Sequence, residues 1–472
     1  MKSLNVAALP RIAASDWRPH PSVLNRSLTL AAMSLGYVVV QLDVTIVNVA
    51  INAIGASLGG GVADLQWIVN AYTITFASFI LTAGALGDRI GAKRVFVLGF
   101  LLFVVASLAC ALAPSLRILI GARLCQGVGA AILVPNSLAL LNHAFPDEAG
   151  RHRAVGIWAA GASASLTAGP LLGGALIALV GWRSIFFINL PVGLAGMWLA
   201  WRYARETTRT PTRTLDLPGQ VLAALALATL AAVTIAGGQV GWLNPVVIAG
   251  FAAFVILTLA FLSVELESQA PMLPLALFRT PAFTATSFAG LLVNVAAYGL
   301  IFVFSLYFQR LGHLSPLLTG VAFAPVMLAI LITNLVAAKV TSAIGARLTI
   351  AVGLGVMAVS CILLLPLQRG SSYWLIEPQL VMLGAGVGLL VPPLTSTMLG
   401  SVDKPRSGLA SGVLNAMRQT GSVLGVALFG SLLSGTAGFM EGMKGSFMIA
   451  AAVSLGALFA VVAGVQDRRA SH

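Results

Sequence analysis

Three ionisable side chains lie inside long apolar runs of the sequence: Asp43, Arg123 and Arg418. A charge at the centre of a bilayer costs about 3 kcal/mol or more, so such residues mark function by default. Counted from the outer ends of their runs, Asp43 lies about 12 Å deep and Arg123 about 9 Å deep at 1.5 Å per residue, so the two can face each other. Burial favours the neutral carboxyl and a neighbouring guanidinium favours the ionised one. A carboxyl held between these effects can take up and release a proton at working pH. Asp43 and Arg123 are therefore the expected proton-coupling residues. The other reading is a static pair that only fixes helix packing, which would be weak evidence of stability.

Two glycine-rich stretches could serve movement. Gly161-Ala162-Ser163-Ala164-Ser165, followed by Gly169-Pro170-Leu171-Leu172-Gly173-Gly174, lets helices approach closely, and Pro170 bends the run. Gly161, Gly169, Pro170, Gly173 and Gly174 suit a gating helix, although ordinary small-residue packing fits the pattern as well. Gly84-Ala85-Leu86-Gly87-Asp88-Arg89-Ile90-Gly91-Ala92-Lys93-Arg94 bridges two runs. Its carboxylate can cap a helix N-terminus in the opposite bundle, and its arginines can pair across the interface. Gly84, Asp88, Arg89, Gly91 and Arg94 then form a conformational latch. A plain charged turn would explain the basic residues but not the three glycines. Tyr72, Trp158, Tyr298, Phe302 and Tyr307, with Arg418, can line an aromatic cavity, though each aromatic also suits plain packing.

The elements that must hold these residues are membrane helices. The chain has 472 residues, 58% hydrophobic and 9% charged, against about a quarter charged in soluble domains. Apolar runs long enough to cross about 30 Å of hydrocarbon fall at about 29 to 51, 65 to 87, 95 to 113, 117 to 141, 154 to 180, 184 to 203, 217 to 236 and 245 to 265. Six more follow at about 284 to 308, 317 to 338, 347 to 367, 376 to 398, 407 to 433 and 446 to 465. Fourteen spans put both termini on one side. With that side cytoplasmic, twenty basic residues fall inside and five outside, as the positive-inside rule requires. The net charge of +13 is thus spread over short loops and forms no nucleic-acid surface. The first 26 residues read as a cytoplasmic tail, without a small-residue cleavage site.

The sequence repeats at an offset of about 255 residues. Ile90-Gly91-Ala92-Lys93 parallels Ile344-Gly345-Ala346-Arg347. Gly127, Gly129 and Val134-Pro135 parallel Gly384, Gly386 and Val391-Pro392, and Gly156, Gly169 and Gly173 parallel Gly408, Gly421 and Gly425. The expected organisation is a cytoplasmic tail at 1–26, an N-terminal six-helix bundle at 27–203 and a linker with an extra helix pair at 204–280. A C-terminal six-helix bundle at 281–466 and a cytoplasmic tail at 467–472 complete it. The extra pair is read as a structural linker without a charge at membrane depth.

Leu42-Asp43-Val44-Thr45-Ile46-Val47-Asn48-Val49-Ala50 resembles the first-helix motif of the fourteen-helix drug/proton antiporter branch of the major facilitator superfamily. Arg123-Leu124-Cys125-Gln126-Gly127-Val128-Gly129 is similar to its fourth-helix motif, and Gly169-Pro170 with Gly173-Gly174 to its antiporter motif. Asp88 and Arg89 match the loop motif, and Trp182-Arg183-Ser184-Ile185-Phe186-Phe187-Ile188-Asn189-Leu190-Pro191 is also similar to the branch. The resemblance implies an all-α membrane protein of two six-helix bundles plus an inserted pair. It also implies proton transfer through Arg123, switching through Asp88 and Arg89, and export. Two positions depart from the pattern: Ser342 stands where a second Asp88 would align, and the run from about 317 to 338 holds no acid.

The expected function is therefore proton-coupled antiport of small amphiphilic molecules or drugs, with a proton-coupled transporter of one specific metabolite as the alternative. No cofactor is expected beyond the proton gradient. The partners are the lipid bilayer, a small-molecule substrate and protons, with no nucleic acid, and the chain is read as a monomer in a bacterial inner membrane. With Asp43 at −1 and Arg123 and Arg418 at +2, the buried total of +1 disfavours polycations and leaves lipophilic monocations, neutral amphiphiles and anions open. An embedded enzyme is not expected, since His20, His143, His152, His313 and His472 lie outside the spans and Cys110, Cys125 and Cys361 have no partner at metal-ligand spacing.

Overall fold

A computed structural model describes residues 23–209, 216–268, 271–403, 407–434 and 438–466. Most of the expected tails, with Lys2, Arg11, Arg18, Arg468 and Arg469, lie outside these residues, as do Arg213, Lys404 and Arg406. The first half holds α1 (Val23–Leu58), α2 (Val62–Ile90), α3 (Ala92–Ala111), α4 (Leu116–Ala144) and α5 (Glu148–Val180), then the short α6 (Ser184–Phe187) and α7 (Asn189–Tyr203), which share one span. The inserted pair is α8 (Leu217–Val240) and α9 (Pro245–Glu267). The second half holds α10 (Pro281–Leu306), α11 (Pro316–Ile344), α12 (Ala346–Leu363), α13 (Tyr373–Gly400), α14 (Ser407–Ser434) and α15 (Phe439–Gly464).

The described helices therefore make fourteen spans, each with its ends within seven residues of its expected run. Thirteen are long and apolar enough to cross a membrane by length and composition. α14 is as long as most, at 28 residues, but Asn415, Arg418 and Gln419 lower its hydropathy. Helix ends follow local chemistry. Ser115, Asp147, Asp216, Asn244 and Ser315 each accept from an early backbone N–H of the helix they precede, satisfying donors that a helix start leaves open.

The sequence repeat is also a repeat of contacts. Gly127 lies against Tyr72 of α2, as Gly384 lies against Val326 of α11; Gly129 lies against Phe103 of α3, as Gly386 lies against Gly353 of α12. Gly169 and Gly173 seat α5 on Thr45 and Ile46 of α1, as Gly421 and Gly425 seat α14 on Leu291 and Val295 of α10. Gly91 and Gly345 end the second helix of each half at φ 108° and 87°, a backbone that side chains resist.

The halves meet along α5 with α11, α2 with α14, and α1 with α10. Near the C-terminal ends of α1 and α10, Ser305 Oγ donates to Asn48 O at 2.5 Å, Gln309 Nε2 to Val49 O at 3.1 Å and Arg310 Nε to Asn52 Oδ1 at 3.3 Å. Gln66 Nε2, early in α2, donates to Val426 O at 2.9 Å and Ala427 O at 2.7 Å in α14.

The inserted pair packs more closely than a linker requires. α8 touches both α2 and α14: Gln220 Nε2 donates to Ser78 O at 2.7 Å, and a Cβ on Gly238 would stand 2.6 Å from Ser431 Cα. A charged residue stands at one end. α9 runs on to Glu267, which leaves Glu265 buried in its last turn, accepting from Leu273 N at 2.9 Å. Apart from Val247, the rest of α9 is exposed or half-buried, as suits a lipid-facing helix.

Candidate functional site

α1, α3, α4 and α7 bring polar side chains to one buried point. Asp43 is 0% exposed and Arg123 is 1% exposed. Arg123 Nη1 donates to Asp43 Oδ2, so the facing of these residues expected from their depths is realised. Around them stand groups that sequence reading missed as partners. Gln126 Nε2 donates to Asp43 Oδ1 at 2.9 Å and to Ser107 Oγ at 2.8 Å, while Gln126 Oε1 accepts from Arg123 Nη1 at 2.7 Å. Asn189 Nδ2 donates to Asp43 Oδ1 at 3.1 Å and to Ser107 Oγ at 3.3 Å. Arg123 Nε donates to Ile68 O at 3.1 Å, and its guanidinium carbon sits 4.2 Å from the Tyr72 ring centroid.

Each contact has a local origin. Gln126 lies three residues after Arg123, one turn along the same face of α4, so it reaches the same carboxylate. Asn189 opens α7 just after the α6 break, which turns its side chain inward. Both residues stand inside stretches quoted above for their family likeness, but neither carries a charge, and charge was the signal used to find membrane-depth chemistry. Both carboxylate oxygens of Asp43 and the Nε and Nη1 of Arg123 are thereby hydrogen-bonded in a buried site, as a buried ion requires. Two further carboxylates are buried although neither lies mid-span: Glu265, and Glu377 in the first turns of α13. Both occupy helix ends that turn inward.

The aromatic cavity needs correction. Tyr72, Phe302 and Tyr307 are buried in packing: Tyr72 lies over Arg123, and Tyr307 packs edge-on against Phe304 and Phe308. A side chain sealed by its neighbours lines no accessible space in this state. Trp158, Tyr298 and Arg418 are half-buried. The Trp158 ring stacks on Tyr37 at 4.1 Å and its Nε1 donates to Ser137 Oγ at 3.1 Å.

α5 places its small residues at two junctions. A Cβ on Gly169 would collide with Thr45 Oγ1, and one on Gly173 would stand 2.6 Å from Ile46 Cγ1, both in α1. Gly174 faces the other half, where a Cβ would stand 2.5 Å from Pro316 O; in return Gly320 of α11 lies against Pro170 O. Gly161 approaches Val38. The stretch thus touches α1 and α11 together.

The latch is corrected at Arg94. Asp88 is half-buried and Arg89 exposed at the end of α2, and Gly84 approaches Pro135 of α4. The cap on α3 comes from Glu206, which follows α7 in the same half. Its carboxylate accepts from Lys93 N at 2.9 Å and Arg94 N at 3.3 Å, while Thr207 Oγ1 accepts from Ala92 N at 3.1 Å. Arg94 stands 3.9 Å from Glu206 and so pairs within its own half. Gly91 is needed there, because a Cβ would stand 2.5 Å from the Glu206 carboxyl carbon.

The Major Facilitator Superfamily sequence model matches residues 33–426. The chain belongs to the major facilitator superfamily. It is a multi-pass membrane transporter and not an enzyme. Two relatives of this superfamily chain are methylenomycin A resistance proteins, 36% identical to it. That of Bacillus subtilis aligns over 91% of this chain and 92% of its own length, and that of Streptomyces coelicolor over 96% and 95%. The multidrug resistance protein Stp of Mycobacterium tuberculosis is 37% identical over 87% of this chain and 77% of its own. A crystal structure of the human organic anion transporter TETRAN superposes with a TM-score of 0.64 at 15% identity, covering 92% of this chain and 99% of that one. At that identity the likeness is one of fold alone.

Proposed function

We propose that this transporter is a proton-coupled antiporter that exports small amphiphilic molecules or drugs across a bacterial inner membrane by alternating access. The observation that carries the reading is the solvent-free Asp43 carboxylate, held by Arg123, Gln126 and Asn189. α1, which carries Asp43, also meets the second half through Ser305 and Gln309, so a rearrangement of the halves reaches the helix that holds the carboxylate. The resistance and efflux proteins to which the chain is similar support export of drug-like molecules. Since two of them are named for one compound, methylenomycin A, dedicated export of a single compound is the second reading.

The termini are assigned to the cytoplasm by the basic-residue asymmetry, which also makes the ends of α1 and α10 outer ends. The hydrogen bonds there, with the Gln66 bonds to α14, then hold the outer side closed. Closure is the resting form of an exporter awaiting cargo from inside. Everted membrane vesicles energised to an acid interior test the whole reading. An exported amphiphile is expected to dissipate the pH gradient in vesicles with this protein and not in vesicles without it. Equal dissipation in both would overturn proton coupling. A cysteine in the Asp147 to Arg153 loop that reacts with an external impermeant reagent in intact cells would overturn the orientation.

A further inference from the structure

We propose that Arg418, with Tyr37, Trp158 and Tyr298, forms a subsite between the two halves that selects amphiphilic organic anions, carboxylates foremost, as cargo. The proposal rests on the transporter reading above and names the substrate class of that transporter.

The first element is charge. Of the two arginines deep in spans, Arg123 is neutralised by Asp43 and enclosed. Arg418 has no such partner: among the described residues its Nη2 donates to Thr395 Oγ1 at 2.7 Å, and no carboxylate is paired with it. A guanidinium carries five N–H donors. None of the Arg418 nitrogens is both sealed in packing and unpartnered, so those left over open on accessible space. The titratable side chains that reach it are the neutral hydroxyls of Tyr37 and Tyr298, and no acid does so among the described residues.

The second element is shape. Arg418 and Tyr298 belong to α14 and α10 of the second half, Tyr37 and Trp158 to α1 and α5 of the first. The Tyr37 and Trp158 rings lie 4.1 Å apart at 18°, and Tyr298 packs with them against the apolar core of the first half. Flat aromatic faces take an apolar body, and the planar guanidinium fork takes a carboxylate bidentately. A cationic amphiphile would meet an unpaired like charge and no counter-ion. Because the four side chains come from both halves, cargo bound here is positioned to sense their relative movement.

Calorimetry on the purified full chain in detergent tests the subsite with matched probes. One set is 1-naphthoate, 1-naphthamide and 1-naphthylmethylammonium, and the other is decanoate, decanamide and decylammonium. The carboxylate of each set is expected to bind about tenfold tighter than its amide, the scale of a charge-assisted hydrogen bond. Arg418→Gln should abolish that ratio by weakening the carboxylate far more than the amide, and Arg418→Lys should keep part of it. If Arg418→Gln fails to fold, the wild-type ratio and Arg418→Lys decide. A ratio unchanged in Arg418→Gln, tightest binding by the ammonium probes, or no carboxylate binding would overturn the proposal. Proton-driven efflux of a neutral or cationic drug without carboxylate preference would overturn the subsite alone. Carboxylate binding that depends on Arg418, with no transport of any probe, would keep the subsite and overturn the exporter reading.

Discussion

Gln126 spans the buried pair: its Nε2 donates to Asp43 Oδ1 at 2.9 Å while its Oε1 accepts from Arg123 Nη1 at 2.7 Å. One amide therefore senses whether the carboxylate and guanidinium stay together. Gln126→Ala should leave the protein folded and able to bind cargo but lower proton-driven efflux by about tenfold or more, since hydrogen bonds to charged groups contribute about 1.5–3 kcal/mol. Asn189→Ala should act in the same direction, and the double variant should fall short of the sum, because both amides serve Asp43 Oδ1 and Ser107 Oγ. Efflux from energised vesicles beside equilibrium binding separates the two effects. Lost binding with intact coupling would assign both residues to cargo.

Gly169 permits α5 to close on α1 only because it lacks a Cβ that would strike Thr45. Gly169→Leu is expected to abolish export while leaving membrane insertion intact. The obstacle is a side chain, so Thr45→Ala should restore part of the activity of Gly169→Ala. At Gly174 the obstacle is the Pro316 backbone carbonyl, and no partner substitution should rescue Gly174→Ala. Normal efflux by a well-expressed Gly169→Leu protein would remove the gating role.

Much of the fold was legible because fourteen apolar runs, their breaks and a glycine repeat are one-dimensional signals. The depth argument likewise paired Asp43 with Arg123. What escaped were uncharged partners: Gln126 and Asn189 are polar residues whose importance depends on which helix faces which, and no spacing within one helix reveals that. The aromatic cavity failed at Tyr72, Phe302 and Tyr307 for a related reason, since an aromatic residue in a membrane helix reads alike whether it faces packing or space. The cap at α3 was missed because Glu206 lies over a hundred residues away in sequence and carries no motif.

Glu206 and Arg94 should differ sharply on mutation. Glu206→Ala removes acceptors from the Lys93 and Arg94 amides and is expected to cost about 1–2 kcal/mol, the scale of a lost helix cap. Arg94→Ala should cost about 0.5 kcal/mol or less, because Arg94 is 65% exposed and 3.9 Å from its partner. Thermal unfolding in detergent would register the difference as a lower midpoint for Glu206→Ala alone. Equal losses would mean the ion pair and not the cap holds this turn.

Gln66 bolts α2 to α14 through two backbone carbonyls. Gln66→Leu should weaken the closed outer side by about 1–3 kcal/mol. A cysteine at Asn52, beside Arg310, should then react severalfold faster with an external impermeant thiol reagent. An unchanged rate would place the bolt elsewhere.

Asp43 is the buried carboxylate on which the proton-coupling account depends. Asp43→Asn keeps the shape and the amide capacity to bond Gln126 or Arg123 but fixes the group in its neutral form. In vesicles reconstituted with purified protein, an imposed pH gradient should drive substrate uphill with wild type and fail to do so with Asp43→Asn, while exchange of substrate down its own gradient survives. Uphill transport by Asp43→Asn at near wild-type rate would contradict the account and place the proton site elsewhere.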